Sequence, residues 1–134
     1  MGTQQILYIV LGVIIVGIAI VVGTIPSFIE GMNSANRDAI TQDCMKLAAG
    51  AQGYYRRPRL FNGGGNSFED IDIQQCGMDM NGSGEGENDN GTYTVDGSAG
   101  DYCEIIGYSK AKVGATVTVT VYAGTIDDPI RDGW

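Results

Sequence analysis

Hydrophobic and polar positions divide this chain into stretches with different periods. From Ile6 to Ile29 there is no charged side chain, and Ile, Val, Leu and Gly dominate the 24 positions. As a helix this stretch is about 36 Å long, enough to cross a hydrocarbon layer of ~30 Å with some tilt. Beyond it the pattern turns amphipathic. Phe28, Met32, Ala35 and Ala39 fall at helical spacing, followed by Ile40, Cys44, Leu47, Ala51 and Tyr54 or Tyr55. Asn36, Arg37, Asp38, Gln42, Asp43, Lys46 and Gln52 make the polar opposite face. Pro58 disfavours a helical residue before it. One helix is therefore expected from about Thr3 to Tyr55, ending between Gly53 and Arg57.

Pro26 lies inside this helix. It removes a backbone donor and crowds the carbonyl four residues earlier, so a kink or local unwinding is expected around Gly23 and Pro26. After the helix, the run Asn62-Gly-Gly-Gly-Asn66 predicts a loop. Four strands are then expected: Phe68 to Ile73, Gly91 to Val95, Tyr102 to Tyr108, and Val113 to Ala123. The last alternates strictly, with Val113, Ala115, Val117, Val119, Val121 and Ala123 on one face and a Thr-rich set on the other. Short connections favour an antiparallel meander. The expected fold class is α+β, a long kinked N-terminal helix on a small four-stranded antiparallel sheet. Its divisions are residues 1–29 as an apolar half-helix, 30–57 as an amphipathic half-helix, and 58–134 as a β head.

Charge sharpens this division. All 16 acidic and 8 basic side chains lie at or beyond Glu30. Between Glu69 and Glu104 there are ten acidic residues and no Lys or Arg. Such a surface repels nucleic acid and anionic headgroups, so no nucleic-acid partner is expected. The chain has no His, which removes the commonest general base and metal ligand. No carboxylate pair is fixed by spacing in a pocket, and an enzyme is not expected.

The apolar stretch is longer than the core of a secretory signal, and no small-residue cleavage site follows it, so it is expected to stay in the mature protein. A head beyond such an anchor lies outside the cytoplasm, where a disulfide persists. Of Cys44, Cys76 and Cys103, the favoured pair is Cys76 with Cys103; pairing of Cys44 with either stays open.

The run from Gly12 through Gly17 and Gly23 to Pro26 resembles the N-terminal helix of type IV pilins and pseudopilins, which continues into a small antiparallel sheet domain. The resemblance implies a structural subunit that is anchored in the inner membrane before assembly. It then forms a helical polymer of identical subunits, an extracellular filament at the cell surface. The filament core would comprise Ile6, Leu7, Ile9, Val10, Val13, Ile14, Gly17, Ile18, Val21, Ile25 and Phe28. Two features depart from the family. Its fifth-position Glu falls here on Leu7, Tyr8 or Ile9, counting from Thr3, Gln4 or Gln5, and no basic residue precedes Thr3. Gln4 and Gln5 offer uncharged hydrogen bonds instead. Two alternatives remain: a pseudopilin-like component of a secretion or uptake machine, and a monomeric anchored binding domain.

Two smaller motifs carry candidate chemistry. Asp79, Asn81, Ser83, Glu85 and Glu87 place oxygen side chains at alternate positions with Gly84 in the sixth slot, as in a calcium loop, but Asn90 holds the twelfth slot instead of Glu. Asn81 and Asn90 head formal glycan acceptor sequences. Arg56, Arg57 and Arg59 beside Tyr54 and Tyr55 read as a helix end whose arginines pair with acidic neighbours, within or between subunits.

Overall fold

A computed structural model describes residues 2–134. The chain divides into two compact units, Met1–Ser34 and Ala35–Trp134. One helix, α1 (Gly2–Arg56), contributes to both.

In the first unit the helix runs unbroken through Gly23 and Pro26. The unwinding expected there does not occur, and the element does not end or change type. Proline withdraws one amide from the ladder, and the turns on either side keep theirs, which is enough to carry a long helix through one such site. Thr24 adds a side-chain bond by donating from Oγ1 to the Ile20 carbonyl at 2.8 Å.

The second unit holds a five-stranded sheet: β1 (Gly86–Glu87), β2 (Gly91–Asp96), β3 (Tyr102–Ser109), β4 (Thr116–Tyr122) and β5 (Ile130–Asp132). The strands follow chain order and every neighbour is antiparallel. This is the expected meander, with five strands where four were expected. Phe68 to Ile73 is not a strand. Asp70 sits in the left-handed region at φ 61°, and Asp72 and Gln75 close a turn by reciprocal bonds to each other's backbone amides at 3.0 Å. The apolar side chains Phe68, Ile71 and Ile73 are nevertheless buried. β4 is shorter than its alternation suggested, because Gly114 turns at φ 84° and leaves Val113 98% exposed in the loop. β1 and β5 are too short to show a period of their own.

The core lies between α1 and one face of the sheet. Ile40, Cys44, Leu47, Ala48, Ala51 and Tyr54 form the buried helix stripe. Opposite them are Tyr93, Cys103, Ile105, Val117, Val119 and Val121, all fully buried. Gly107 on β3 lets the helix approach, since a Cβ there would stand 2.6 Å from Ile40 Cγ2 and 3.0 Å from Cys44 Sγ.

Candidate assembly surface and the sites of the head

The large apolar side chains from Ile6 to Ile29 are 49–69% exposed, so each is covered only by the helix it belongs to. The segment is long and apolar enough to cross a membrane. The expected core set (Ile6, Leu7, Ile9, Val10, Val13, Ile14, Ile18, Val21, Ile25 and Phe28) is exposed throughout. So are the apolar residues between them, such as Ile15, Val16 and Val22. No face is polar. Gly12, Gly17 and Gly23 have open space where a Cβ would stand, so this chain's own packing does not require their small size. Flat positions of this kind let another helix approach closely.

In the head, the Asp79–Glu87 loop folds as a hairpin turn, with the Asn81 amide on the Glu85 carbonyl at 2.7 Å. The Asn81 side-chain oxygen accepts the Ser83 and Glu85 amides at 2.9 and 3.1 Å, and Gly84 turns at φ 83°. Lys110 donates from Nζ to Glu87 Oε1 at 2.6 Å. That hydrogen bond, with one from Asn81, holds the Glu87 carboxyl below its ordinary range. Among the described residues no three His, Cys, Asp or Glu side chains converge to hold a metal. Of the calcium candidates Asp79, Asn81, Ser83, Glu85 and Glu87, the side-chain oxygens of Asn81 and Glu87 already have partners in the turn and at Lys110.

Asn90, a candidate glycan acceptor, is also committed. It belongs to a half-buried polar lock between α1 and the β1–β2 turn. Asp43 Oδ2 accepts from the Tyr93 hydroxyl at 2.6 Å, Asn88 Nδ2 at 2.8 Å and Asn90 Nδ2 at 3.1 Å. Asn36 Nδ2 donates to the Asn90 carbonyl at 3.0 Å, and Ser109 Oγ donates to Asn36 Oδ1. A glycan on Asn90 would replace an N–H that this lock uses. Asn81 keeps its amide on Glu87 and its oxygen on the turn. Helical spacing puts Asn36 and Asp43 on a polar face; both instead flank the buried stripe and bind the sheet side. The only hint was the Asn-Asp-Asn-Gly turn (Asn88 to Gly91) directly before a strand.

Burial is the largest single influence on the Asp43 carboxyl and pushes it up. The bonds from Tyr93, Asn88 and Asn90, with Lys46 nearby, outweigh it and hold the group below 3.8. Burial first, then the Asp43 hydrogen bond, pushes the Tyr93 hydroxyl far up, so it stays a donor. Because the folded carboxyl titrates below the unfolded one, its contribution is complete well above pH 3.8 and is lost as pH falls through the lowered folded value. Asp43→Ala is expected to cost about 2 kcal/mol at pH 7, since it strands three donors. It should also flatten the stability loss between about pH 5 and 3. Urea unfolding of full-length protein in detergent across that range checks both, and an unchanged acid limb would show that the lock is not the titrating element.

All three cysteines are free and buried, so the expected Cys76–Cys103 disulfide is not formed. Burial pushes each thiol up to about 12; Asp43 adds to the effect at Cys44, Cys103 at Cys76 and Asp96 at Cys103. The three act as small apolar side chains in a core that the helix and sheet already close. Tyr54 caps that core by donating to the Glu69 carbonyl at 2.8 Å. The chain matches no protein-family profile, no characterised protein and no solved structure.

Proposed function

We propose that this chain is the structural subunit of a helical extracellular filament, held in the inner membrane by its apolar helix until it assembles. The observation that carries the reading is a 24-residue helical segment with no charge and no polar face, every large apolar side chain of which is uncovered. Lipid covers such a helix, and so do copies of itself packed side by side. Copies alone can do so away from the membrane. Burying even ~1,000 Å² of it is worth on the order of 25 kcal/mol before association costs, enough for a polymer that does not fall apart on dilution. The open glycine positions support close helix–helix approach.

Electron microscopy of material sheared from expressing cells tests this. Abundant long fibres containing this protein are expected. Short assemblies confined to the membrane would favour the secretion-machine component. A monodisperse protein in mild detergent, with no fibres on the cells, would leave only an anchored domain and overturn the reading.

A further inference from the structure

Three of the eight basic residues fall within four positions: Arg56 and Arg57 at the end of α1, and Arg59 opening a 3-10 turn (Arg59–Phe61). All three side chains are exposed. The ion pairs among the described residues are Arg37–Asp38 and Lys110–Glu87; Arg56 and Arg57 form none there, and Arg59, though it shares a shallow pocket with Glu69 and Asp70, makes no ion pair with either. Beside them Leu60 is 94% and Phe61 72% exposed. The backbone beneath is pinned, with the Phe61 amide on the Pro58 carbonyl at 3.0 Å and the Gly64 amide on the Tyr54 carbonyl at 2.8 Å. Holding two large apolar side chains in water on a fixed knuckle gives nothing to this chain's own fold.

The complementary surface is on the same molecule. On the outer face of the sheet Asp96 of β2 stands directly opposite Glu104 of β3, and Asp101 follows at the hairpin, all exposed. Like charges facing each other across two strands repel, and among the described residues none of the three has a cation in ion-pair reach. One step along the same face Tyr102 opposes Tyr122, ring centroids 5.9 Å apart and both rings partly open to solvent.

Resting on the filament reading, we infer that the Arg56–Phe61 knuckle of one subunit docks on the acidic, tyrosine-bearing end of the next subunit's sheet. The guanidiniums meet Asp96, Asp101 and Glu104 in charge-assisted hydrogen bonds, while Leu60 and Phe61 cover the tyrosine rings. Knuckle and platform are different patches, so each subunit that docks leaves its own knuckle or platform free for another. A heterologous contact of this kind propagates an open polymer. Anionic headgroups would attract the same arginines. However, the knuckle lies 27 positions beyond Ile29, and the ten carboxylates between Glu69 and Glu104 oppose such a surface.

Charge reversal in full-length protein tests the pairing. Arg56→Glu/Arg57→Glu/Arg59→Glu and Asp96→Lys/Asp101→Lys/Glu104→Lys should each lower the assembled fraction by about tenfold or more. Combining all six changes in one chain, or co-expressing the two variants, should restore assembly to within about threefold of wild type. All six positions are exposed, and restoration by the combined chain shows that it folds. Wild-type assembly by either single-surface variant would overturn the inference, as would loss that the six-change chain does not restore. Wild-type assembly by the knuckle variant, combined with loss of binding to phosphatidylserine vesicles, would assign the arginines to lipid instead. An absence of fibres from the wild type would overturn the filament reading itself, before any variant is compared.

Discussion

Val13→Glu is expected to reduce fibres by about a hundredfold or more relative to the membrane-bound pool. Val13 is 68% exposed in the middle of the charge-free helix, where each neighbouring turn is equally apolar. A carboxylate at the centre of an apolar helix costs about 3 kcal/mol even where water and lipid can adjust around it. A dry helical bundle offers less adjustment, and no Lys or Arg lies between Met1 and Asn36 to pair with the charge. The same substitution at Val113 is the natural control. That residue is 98% exposed in a turn, so Val113→Glu should leave fibre yield within about twofold. Quantifying sheared fibres against the membrane fraction for both variants checks the pair. Wild-type fibre yield from Val13→Glu would mean that the helix is not the assembly core.

The largest effect on the head is expected from Gly107→Val. The first carbon alone would meet Ile40 at 2.6 Å, Cys44 at 3.0 Å and Tyr93 at 3.1 Å, and all three neighbours are fully buried. None can retreat to solvent, so the helix must lift from β3 or the ring of Tyr93 must turn and pull on its bond to Asp43. Overpacking of this kind costs about 3 kcal/mol. For a folding unit of this size that lowers Tm by roughly 12–20 °C. Gly124→Val, where a Cβ meets nothing within 4 Å, should change stability by less than about 0.5 kcal/mol. Thermal unfolding followed by circular dichroism in detergent separates the two. Equal melting of both variants would show that the Gly107 contact does not limit helix docking.

The same contact shows why a residue's role in this domain depends on what stands across from it. Nothing about Gly107 in the chain distinguishes it from Gly124. Only the position of Ile40, 67 residues earlier, makes its missing side chain necessary. Asp43 is a similar case. One position from the buried Cys44 it reads as solvent-facing, yet Tyr93, Asn88 and Asn90 converge on it from the sheet side.

Local, repeating patterns were enough for the long helix, its end near Arg56, the stripe from Ile40 to Tyr54, and the alternating core of β4. Each rests on a period that neighbouring residues impose on one another, 3.6 for the helix and 2 for the strand. The charge-free run likewise announces a surface that must be covered, because exposure of apolar area is a property of the residues themselves. Tertiary structure decided what no period encodes. It turned Phe68 to Ile73 into a turn with buried apolar side chains, where Asp72 and Gln75 bond each other's backbone amides. It made β4 begin only at Thr116 through the left-handed Gly114, buried the three thiols in the core, and gave the oxygens of Asn81 and Glu87 to a hairpin and to Lys110. These outcomes depend on partners distant in sequence, and the energy of a polar or close-packed contact exists only once both partners are in place.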